Sequence, residues 1–330
     1  MRLLVLGGTS FLSRATAAEA VRRGHEVVCA ARGESGTIPE GARLLPLDRD
    51  QPDAVRTALA GERFDAVLDV ATMALPWVRD ALDVLADNVG HWTFVSSINA
   101  YADTVTQGQK TDAPVLEPIT DEQAPAERTA EHNGGVKVAC ENAVRDAVGA
   151  DRTFVVRPGD ICGPGDYMDR FGYWPVRLSR GGRVAIPDDR VQPYQHIDVR
   201  DLAAWIVTAG EQGTTGTYDT VTHPTTLHST LHRIAELVAP AGTELVPVSL
   251  ERLSAEGVDY WAGPGALPLW LPASHYGMVS HDPTTAYREG LETRPFEDTV
   301  QDVLADERAR GIDRERAGGL SPEQERALLG

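Results

Sequence analysis

Short apolar runs alternate with amphipathic stretches through the first half of the chain. Runs that are apolar throughout are typical of strands covered by helices on both faces of a parallel sheet. The stretches between them place apolar residues at helical spacing, which is the pattern of βαβ units. The predicted strands are Leu3–Leu6, Glu26–Ala30, Leu44–Leu47, Ala66–Val70, Thr93–Ser96 and Thr153–Val156. The predicted helices are Phe11–Arg22, Pro52–Ala60, Pro76–Asn88 and Ala126–Val148.

The pattern changes after residue 159. Residues 163–193 are rich in glycine, proline, arginine and aromatic residues, which predicts a loop region. From residue 223 onward the pattern is helical with Pro and Gly breaks, and the charged tail of residues 306–330 is interpreted as a surface helix pair. The other predicted elements are a short helix at Phe171–Leu178, core segments at Gln195–Ile197 and Asp198–Ala209, and a strand at Thr217–Val221.

Charge and cysteine usage narrow the class of protein. The net charge of −18 argues against nucleic acid and anionic membrane surfaces, because both are bound through basic patches. No segment reaches the roughly 20 apolar residues that a membrane-spanning helix needs. Cys29, Cys140 and Cys162 are dispersed and form no CxxC pair, so we expect reduced thiols and a cytoplasmic location.

The first strand leads into a glycine turn and a helix, the pattern of a dinucleotide-binding site. Glycines let the backbone approach a pyrophosphate, and the helix N-terminus supplies N–H groups. In the usual Gly-x-x-Gly-x-x-Gly spacing the first glycine falls at Gly7, whereas Ser10 and Ser13 replace the other two. Serine is small enough for the turn to persist. The predicted cofactor-binding residues of this segment are Gly7, Thr9, Ser10, Phe11, Leu12 and Arg14.

The end of the second predicted strand indicates the phosphorylated cofactor, NADP(H). An Asp or Glu there would hold the ribose hydroxyls and repel a 2′-phosphate, but the sequence is Ala30-Ala31-Arg32. Arg32 and Arg14 can instead pair with that phosphate. Asp48, after the third strand, is where an acid would meet the adenine amine.

Together these patterns predict an α/β fold with a doubly wound parallel sheet and a smaller C-terminal lobe. We assign residues 1–165 and about 194–222 to the NADP-binding domain. About 166–193 and 223–330 form the predicted substrate lobe.

Four further segments, in the right order, resemble the extended short-chain dehydrogenases/reductases, the NAD-dependent epimerase/dehydratase-like proteins. Residues 94–101 are similar to the strand end that carries the catalytic serine, here Ser97. Residues 133–141 match Tyr-Gly-x-x-Lys-x-x-x-Glu except at the first position. Residues 156–166 resemble the Arg-Pro-Gly…Gly-Pro-Gly-Asp segment, and residues 196–203 resemble the later His-Val-x-Asp-x-Ala stretch. The resemblance implies that Lys137 binds the nicotinamide ribose, and Arg157 is a further cofactor-binding candidate.

The departure from the family pattern lies at the catalytic tyrosine, which is replaced by Asn133. An amide cannot exchange a proton near neutral pH as a phenol does. The candidate catalytic residues are therefore Ser97, Lys137 and Asn133, with the proton coming from elsewhere. Other candidate donors are Tyr101, Asp166, Tyr167 and His196, or a substrate with an acidic hydroxyl beside its ketone.

Aromatic residues concentrate in the predicted substrate lobe, which suits a flat ligand. The alternative is that they form the core of that lobe. His228 and His232 stand four apart on a predicted helix without a third ligand in reach, so no metal is predicted. The predicted substrate-binding residues are Asp166, Tyr167, Phe171, Trp174, Tyr194, Trp261 and Trp270.

The leading hypothesis is an NADPH-dependent ketoreductase acting on an aromatic or polyketide-type secondary metabolite, as a monomer or homodimer. Its missing tyrosine is similar to that of atypical polyketide ketoreductases of antibiotic tailoring, such as the angucyclinone C-7 ketoreductases. A non-catalytic NADP(H)-binding sensor or partner module is the alternative from another class. A nucleotide-sugar epimerase or dehydratase fits less well, since it needs a proton acceptor at position 133.

Overall fold

A parallel sheet organises the first two thirds of the chain. The computed structural model describes residues 1–71, 74–120 and 129–330. The strands are β1 (Arg2–Leu6), β2 (Glu26–Ala31), β3 (Arg43–Pro46), β4 (Phe64–Asp69), β5 (Val89–Val95), β6 (Thr153–Pro158), β7 (Asp160–Cys162), β8 (Arg183–Pro187), β9 (Pro193–Tyr194), β10 (His196–Asp198), β11 (Gly216–Thr220), β12 (Thr225–Thr226), β13 (Glu244–Val248), β14 (Asp259–Trp261) and β15 (Ala266–Pro268). Seven of them form the main sheet in the order β11-β6-β5-β4-β1-β2-β3, with every pair parallel.

Helices cover both faces of this sheet, as the uniformly apolar strands require. The helices are α1 (Phe11–Arg22), α2 (Pro52–Leu59), α3 (Leu75–Leu85), α4 (Ala130–Val148), α5 (Tyr173–Ser179), α6 (Val199–Gln212), α7 (Leu227–Val238), α8 (Leu250–Ala255), α9 (Thr284–Arg288), α10 (Phe296–Arg310) and α11 (Pro322–Leu329). Short 3₁₀ turns occupy Ala86–Asn88, Ile98–Ala100 and Ala273–Val279. The predicted doubly wound fold is confirmed. The predicted start of the fourth helix, Ala126, lies outside the described residues.

The buried apolar side chains form three clusters. One packs α2, α3 and α4 against one face of the sheet, and the second packs α1 and α6 against the other. The third fills the C-terminal lobe. Each cluster contains one cysteine, namely Cys140, Cys29 and Cys162 in that order. Burial raises the pKa of the Cys29 thiol to about 11 and that of Cys140 to about 12, so both are protonated at neutral pH.

Most of the aromatic residues predicted to bind substrate form the core of the lobe instead. Phe171, Trp174, Tyr194 and Trp270 are almost completely buried in the third cluster. The Trp174 indole donates to the carbonyl of Pro268 at 2.9 Å. A small lobe with few large apolar residues needs them for its own core, and composition does not show which face a ring occupies. Their prediction as walls of a substrate pocket is wrong.

The C-terminal region differs from its prediction in two respects. It contains the short strands β12 to β15 as well as helices, because its apolar runs are too short to separate strand from helix by period. The charged tail contains the end of α10 and the helix α11, and most of its residues are exposed or half-buried, but Glu307 on α10 and Glu325 on α11 are buried. Glu325 accepts from Arg177 on α5 at 2.6 Å, which ties α11 to the lobe.

Candidate active site

A cleft of about 780 Å³ lies at the carboxyl edge of the sheet. It contacts the turn after β1, the end of β2, the segment after β3 and the loop after β7. The predicted cofactor residues that line it are Gly7, Thr9, Ser10, Phe11, Arg14, Arg32 and Asp48. Other lining residues are Ser35, Ala71, Pro164, Gly165 and Tyr167. The sequence contained no signal for Ser35, whereas Pro164 and Gly165 stand in the Gly-Pro-Gly motif.

The turn after β1 can accommodate a pyrophosphate even though serine replaces glycine at two positions of the usual motif, Ser10 and Ser13. Gly8 has φ +105°, and a Cβ there would lie 2.5 Å from the Cys29 sulfur, so the chain needs glycine at this position. The Ser13 hydroxyl donates to the carbonyl of Ser10 at 2.7 Å and closes the turn internally. Ser10 precedes α1, but its side chain does not cap the helix. The first N–H groups of α1 are therefore available to an anion in the cleft.

The adenosine end of the cleft contains arginines and no acid at the end of β2. Arg32 is about half exposed, and its Nε lies 3.7 Å from the Glu34 carboxylate, a weak contact. Arg14 donates through Nε to the carbonyl of Thr37 at 3.0 Å. This distribution of charge suits a phosphate on the 2′-hydroxyl.

Three predicted cofactor residues, Leu12, Lys137 and Arg157, are not among the residues that line the cleft. The Leu12 side chain is buried in the apolar cluster between α1 and the sheet. Arg157 forms a buried ion pair with Glu141 of α4, with Nη2 and Oε2 at 2.7 Å. Burial opposes ionisation of Glu141, but the bonds from Arg157 hold its pKa below the usual range. Arg157 therefore joins β6 to α4, and the motif predicted its presence without predicting its partner.

Lys137 lies at the carboxyl edge of the sheet. Its ammonium donates to the carbonyls of Ala71 at 2.7 Å and Val95 at 2.8 Å, which follow β4 and end β5. Ala71 itself lines the cleft. Burial lowers the pKa of Lys137 from its ordinary value. The two carbonyl acceptors hold the Lys137 amino group next to Ala71.

The glycines after Asn133 let α4 approach the serine turn. A Cβ at Gly134 would lie 1.9 Å from the carbonyl oxygen of Asn99, and one at Gly135 would lie 2.9 Å from that of Glu117. The Ser97 hydroxyl accepts from the Asn99 N–H at 3.1 Å and begins the 3₁₀ turn. Its own hydrogen is left for a ligand.

The amide oxygen of Asn133 is buried and has no hydrogen-bond partner within the described ranges. Buried acceptors are normally satisfied, so an unpartnered one indicates a water or a ligand. An amide oxygen accepts but never donates. Position 133 can therefore receive a hydrogen bond from a substrate hydroxyl or amine.

The other candidate proton donors fall into different environments. Tyr101 donates to the buried Asp219 carboxylate at 2.6 Å, and burial raises its pKa far above the ordinary value. His196 has a pKa lowered to about 4 by burial and borders a separate cavity of about 680 Å³. Tyr167 is exposed at the cleft, with its ring edge-on to Phe11. Neither Tyr101 nor His196 holds a proton suited to transfer near neutral pH.

Asp166 is the exception, because burial raises its pKa from 3.8 to about 6. The negative charge of Asp160 adds to this effect, while Arg170 opposes it. One carboxyl oxygen accepts from the Met168 N–H at 2.8 Å, and the other is buried without a described partner. Asp166 therefore carries a proton on a fraction of molecules at neutral pH.

The raised pKa predicts how Asp166 affects stability. The folded chain binds this proton more tightly than the unfolded chain, so stability is lost as pH rises from about 4 to 6. We expect Asp166→Asn, which keeps the acceptor for Met168, to stabilise the protein at pH 7.5 by on the order of 1–2 kcal/mol and to have little effect at pH 4. Urea unfolding at the two pH values tests this. An equal effect at both pH values would contradict it.

The ring centroids of His228 and His232 lie 4.4 Å apart on α7. Within the described residues, no group of three or more metal-ligating side chains was found.

No helix in the described ranges is both long enough and apolar enough to cross a membrane.

The parallel sheet, the helices on both of its faces and the cleft at the glycine turn define a Rossmann-like α/β protein. The model of the NAD dependent epimerase/dehydratase family matches residues 3–221. The chain belongs to this family.

Two curated relatives have names that describe different activities, one a reductase and the other a binding protein. A 2′-dehydrokanamycin reductase of Streptomyces kanamyceticus is 29% identical over 216 residues, which cover 62% of this chain and 56% of the relative. The chloroplast stem-loop binding protein of 41 kDa b of Arabidopsis thaliana is 26% identical over 216 residues, covering 61% and 53%. The chain thus spans about half the length of the curated relatives it matches.

Solved structures share the fold over nearly the whole chain. A putative epimerase from Burkholderia cenocepacia aligns with a TM-score of 0.68 and 21% identity, covering 93% of this chain and 98% of that one. The Bordetella bronchiseptica enzyme WbmG, in complex with NAD and UDP, aligns with a TM-score of 0.69 and 16% identity, covering 94% and 96%. At these identities the likeness extends to the fold alone.

Proposed function

We propose that the protein is an NADPH-dependent ketoreductase that does not use residue 133 as its proton donor. Three observations support this proposal: the cleft at the sheet edge, the bond from Lys137 to its lining residue Ala71, and an Asn133 amide oxygen that is buried without a partner among the described residues. The relative named as a reductase supports the reaction type.

The site's own residues have separable roles. NADPH, when bound, supplies the hydride. The Ser97 hydroxyl donates to the substrate carbonyl and polarises it, since its other contact uses only an oxygen lone pair. Lys137 holds positive charge at the strand ends and favours the developing alkoxide.

The proton is proposed to come from the substrate. A phenol hydroxyl that is hydrogen-bonded to the ketone oxygen can pass its proton to the new alkoxide, and the phenol is left as a phenolate. Phenolic polyketides have this arrangement. Exposed Tyr167 and the partly buried Trp261 support an aromatic ligand, although the four buried aromatic residues of the lobe do not. Asp166 is a second proposed source, because its pKa is about 6.

The preference for NADPH rests on Arg14 and Arg32 in the cleft and on the absence of an acid at Ala30-Ala31. The reaction is placed in the cytoplasm, where buried free thiols stay reduced.

The alternative is a non-catalytic NADP(H)-binding module. Two observations favour it: the missing tyrosine, and a relative whose name describes binding rather than catalysis. The net charge of −18 makes nucleic acid an unsuitable partner for this chain.

Oxidation of NADPH, followed at 340 nm, separates these functions. We would compare ketones that carry an acidic hydroxyl beside the carbonyl with matched ketones that lack it, and include 2′-dehydrokanamycin and an NADH series. Turnover confined to the hydroxylated ketones is the expected result. Tight NADPH binding without turnover of any ketone would replace the reductase with the non-catalytic module.

A further inference from the structure

The loop of residues 163–172 forms one wall of the cofactor cleft and is held from outside by the C-terminal tail. Pro164, Gly165 and Tyr167 are the lining residues of this wall. We propose that residues 306–317 position the wall and thereby set the affinity for the dinucleotide. The inference rests on the proposed function for the identity of that ligand. The family match ends at residue 221, so it gives this tail no role.

The first contact joins the tail directly to a lining residue. The Gly165 N–H donates to the Asp306 carboxylate at 2.9 Å. The same carboxylate oxygen lies 3.0 Å from Nε of Arg310, one turn further along α10. A hydrogen bond to a charged acceptor is stronger than one between neutral groups, so this contact fixes the backbone at the cleft.

The second contact holds the far side of the loop. Asp169 is buried and has φ +55°, a conformation that only a few residue types adopt. Its carboxylate accepts from Arg314, from Arg316 at 2.9 Å and from the N–H of Ala317 at 2.8 Å. Burial opposes its ionisation, but these bonds hold the pKa of Asp169 below its usual range.

Glu307 of α10 completes a cluster of three carboxylates with Asp169 and Asp306. It is buried and accepts from Arg316 at 2.7 Å and also from Arg314. A Cβ at Gly172 would lie 3.3 Å from its carboxylate, so the end of the loop rests against it. Two buried carboxylates need these arginines, because an uncompensated buried charge is strongly unfavourable. These contacts with the tail act together with the Arg170–Asp160 ion pair and the buried Phe171 ring to hold the loop in this conformation.

The residues of this cluster act through the loop, since none of Asp169, Asp306 or Glu307 lines the cleft. They are positioning residues. Their loss should weaken cofactor binding without changing the rate of the chemical step, a separation that a general loss of stability does not produce.

The test measures NADPH and NADH affinity by cofactor fluorescence in the full-length protein. The variants are Asp306→Ala and Asp169→Asn, the latter because asparagine tolerates the positive φ. The control is Asp313→Ala, which removes a carboxylate of the same tail that pairs only with exposed Arg180 among its described contacts. We expect roughly tenfold weaker NADPH binding in the two variants, unchanged binding in the control, and unchanged kcat at saturating NADPH.

Three results with the variants would overturn the inference. Unchanged affinity in both variants would do so, as would a loss of affinity matched by the control. A loss that only accompanies a lowered melting temperature would assign the cluster to stability alone. Wild-type protein that binds neither dinucleotide would overturn the proposed function together with this inference, whereas the other results leave the proposed function standing.

Discussion

Lys137→Met should lower kcat/KM for ketone reduction by about a hundredfold or more, because a fixed charge beside the reacting carbonyl is lost. Methionine keeps most of the length and apolar volume of the lysine stem. It loses the cation–π contact of the ammonium with the Phe94 ring at 5.1 Å. The carbonyls of Ala71 and Val95 lose their donor, which should also cost about 1–3 kcal/mol of stability. Steady-state kinetics and urea unfolding measure the two effects separately.

The chain offers a matched control, because Lys110 is its only other lysine. Lys110 is exposed, and Lys110→Met should leave both kcat/KM and stability close to those of the wild type. Retention of full activity by Lys137→Met, with only a loss of stability, would show that the ammonium is structural. In that case the proposed electrostatic role would be wrong.

Gly134→Ala is the second large effect that we expect. The added methyl group would meet the Asn99 carbonyl oxygen at 1.9 Å, and the obstacle is backbone rather than a flexible side chain. Helix α4 must then move away from the serine turn, which should cost roughly 3 kcal/mol of unfolding free energy or more. Displacement of Ser97 from Lys137 should also reduce turnover in the fraction that folds.

Gly210→Ala in helix α6 is the comparison. A Cβ there lies 3.3 Å from the Ala66 methyl group and 3.5 Å from the side chain of Met1, contacts that small movements can relieve. Alanine also favours a helix over glycine by about 1 kcal/mol, so this variant should remain within roughly 1 kcal/mol of the wild type. Denaturant unfolding of the two variants would contradict the prediction if both lost stability equally.

The sequence was sufficient for the main sheet, because strands that are apolar throughout and helices at regular intervals leave few alternatives to a doubly wound arrangement. It also placed the turn at Gly7 and the lysine at the sheet edge, since both depend on local spacing. The roles of the aromatic residues in the lobe could not be predicted from local spacing. Trp174 and Trp270 are large and apolar, and only tertiary packing decides whether such rings line a pocket or fill a core.

The sequence likewise did not show which charged residues form ion pairs with residues elsewhere in the chain. The motif around Arg157 is shared with the family, but nothing local shows that its partner is Glu141, 16 residues earlier. The tail gives a second example, because Arg314 and Arg316 meet Asp169 across more than 140 residues. A charged segment that covers buried carboxylates has the same composition as one that faces water.

The distribution of cysteines gives the protein three native probes of local opening. Cys29, Cys140 and Cys162 each lie in a different apolar cluster and are completely shielded from water. A thiol in this state reacts with an alkylating reagent only when its surroundings open. The rate at which each cysteine is modified therefore reports how often its own cluster opens, so the two faces of the sheet and the lobe can be followed separately without introducing a label.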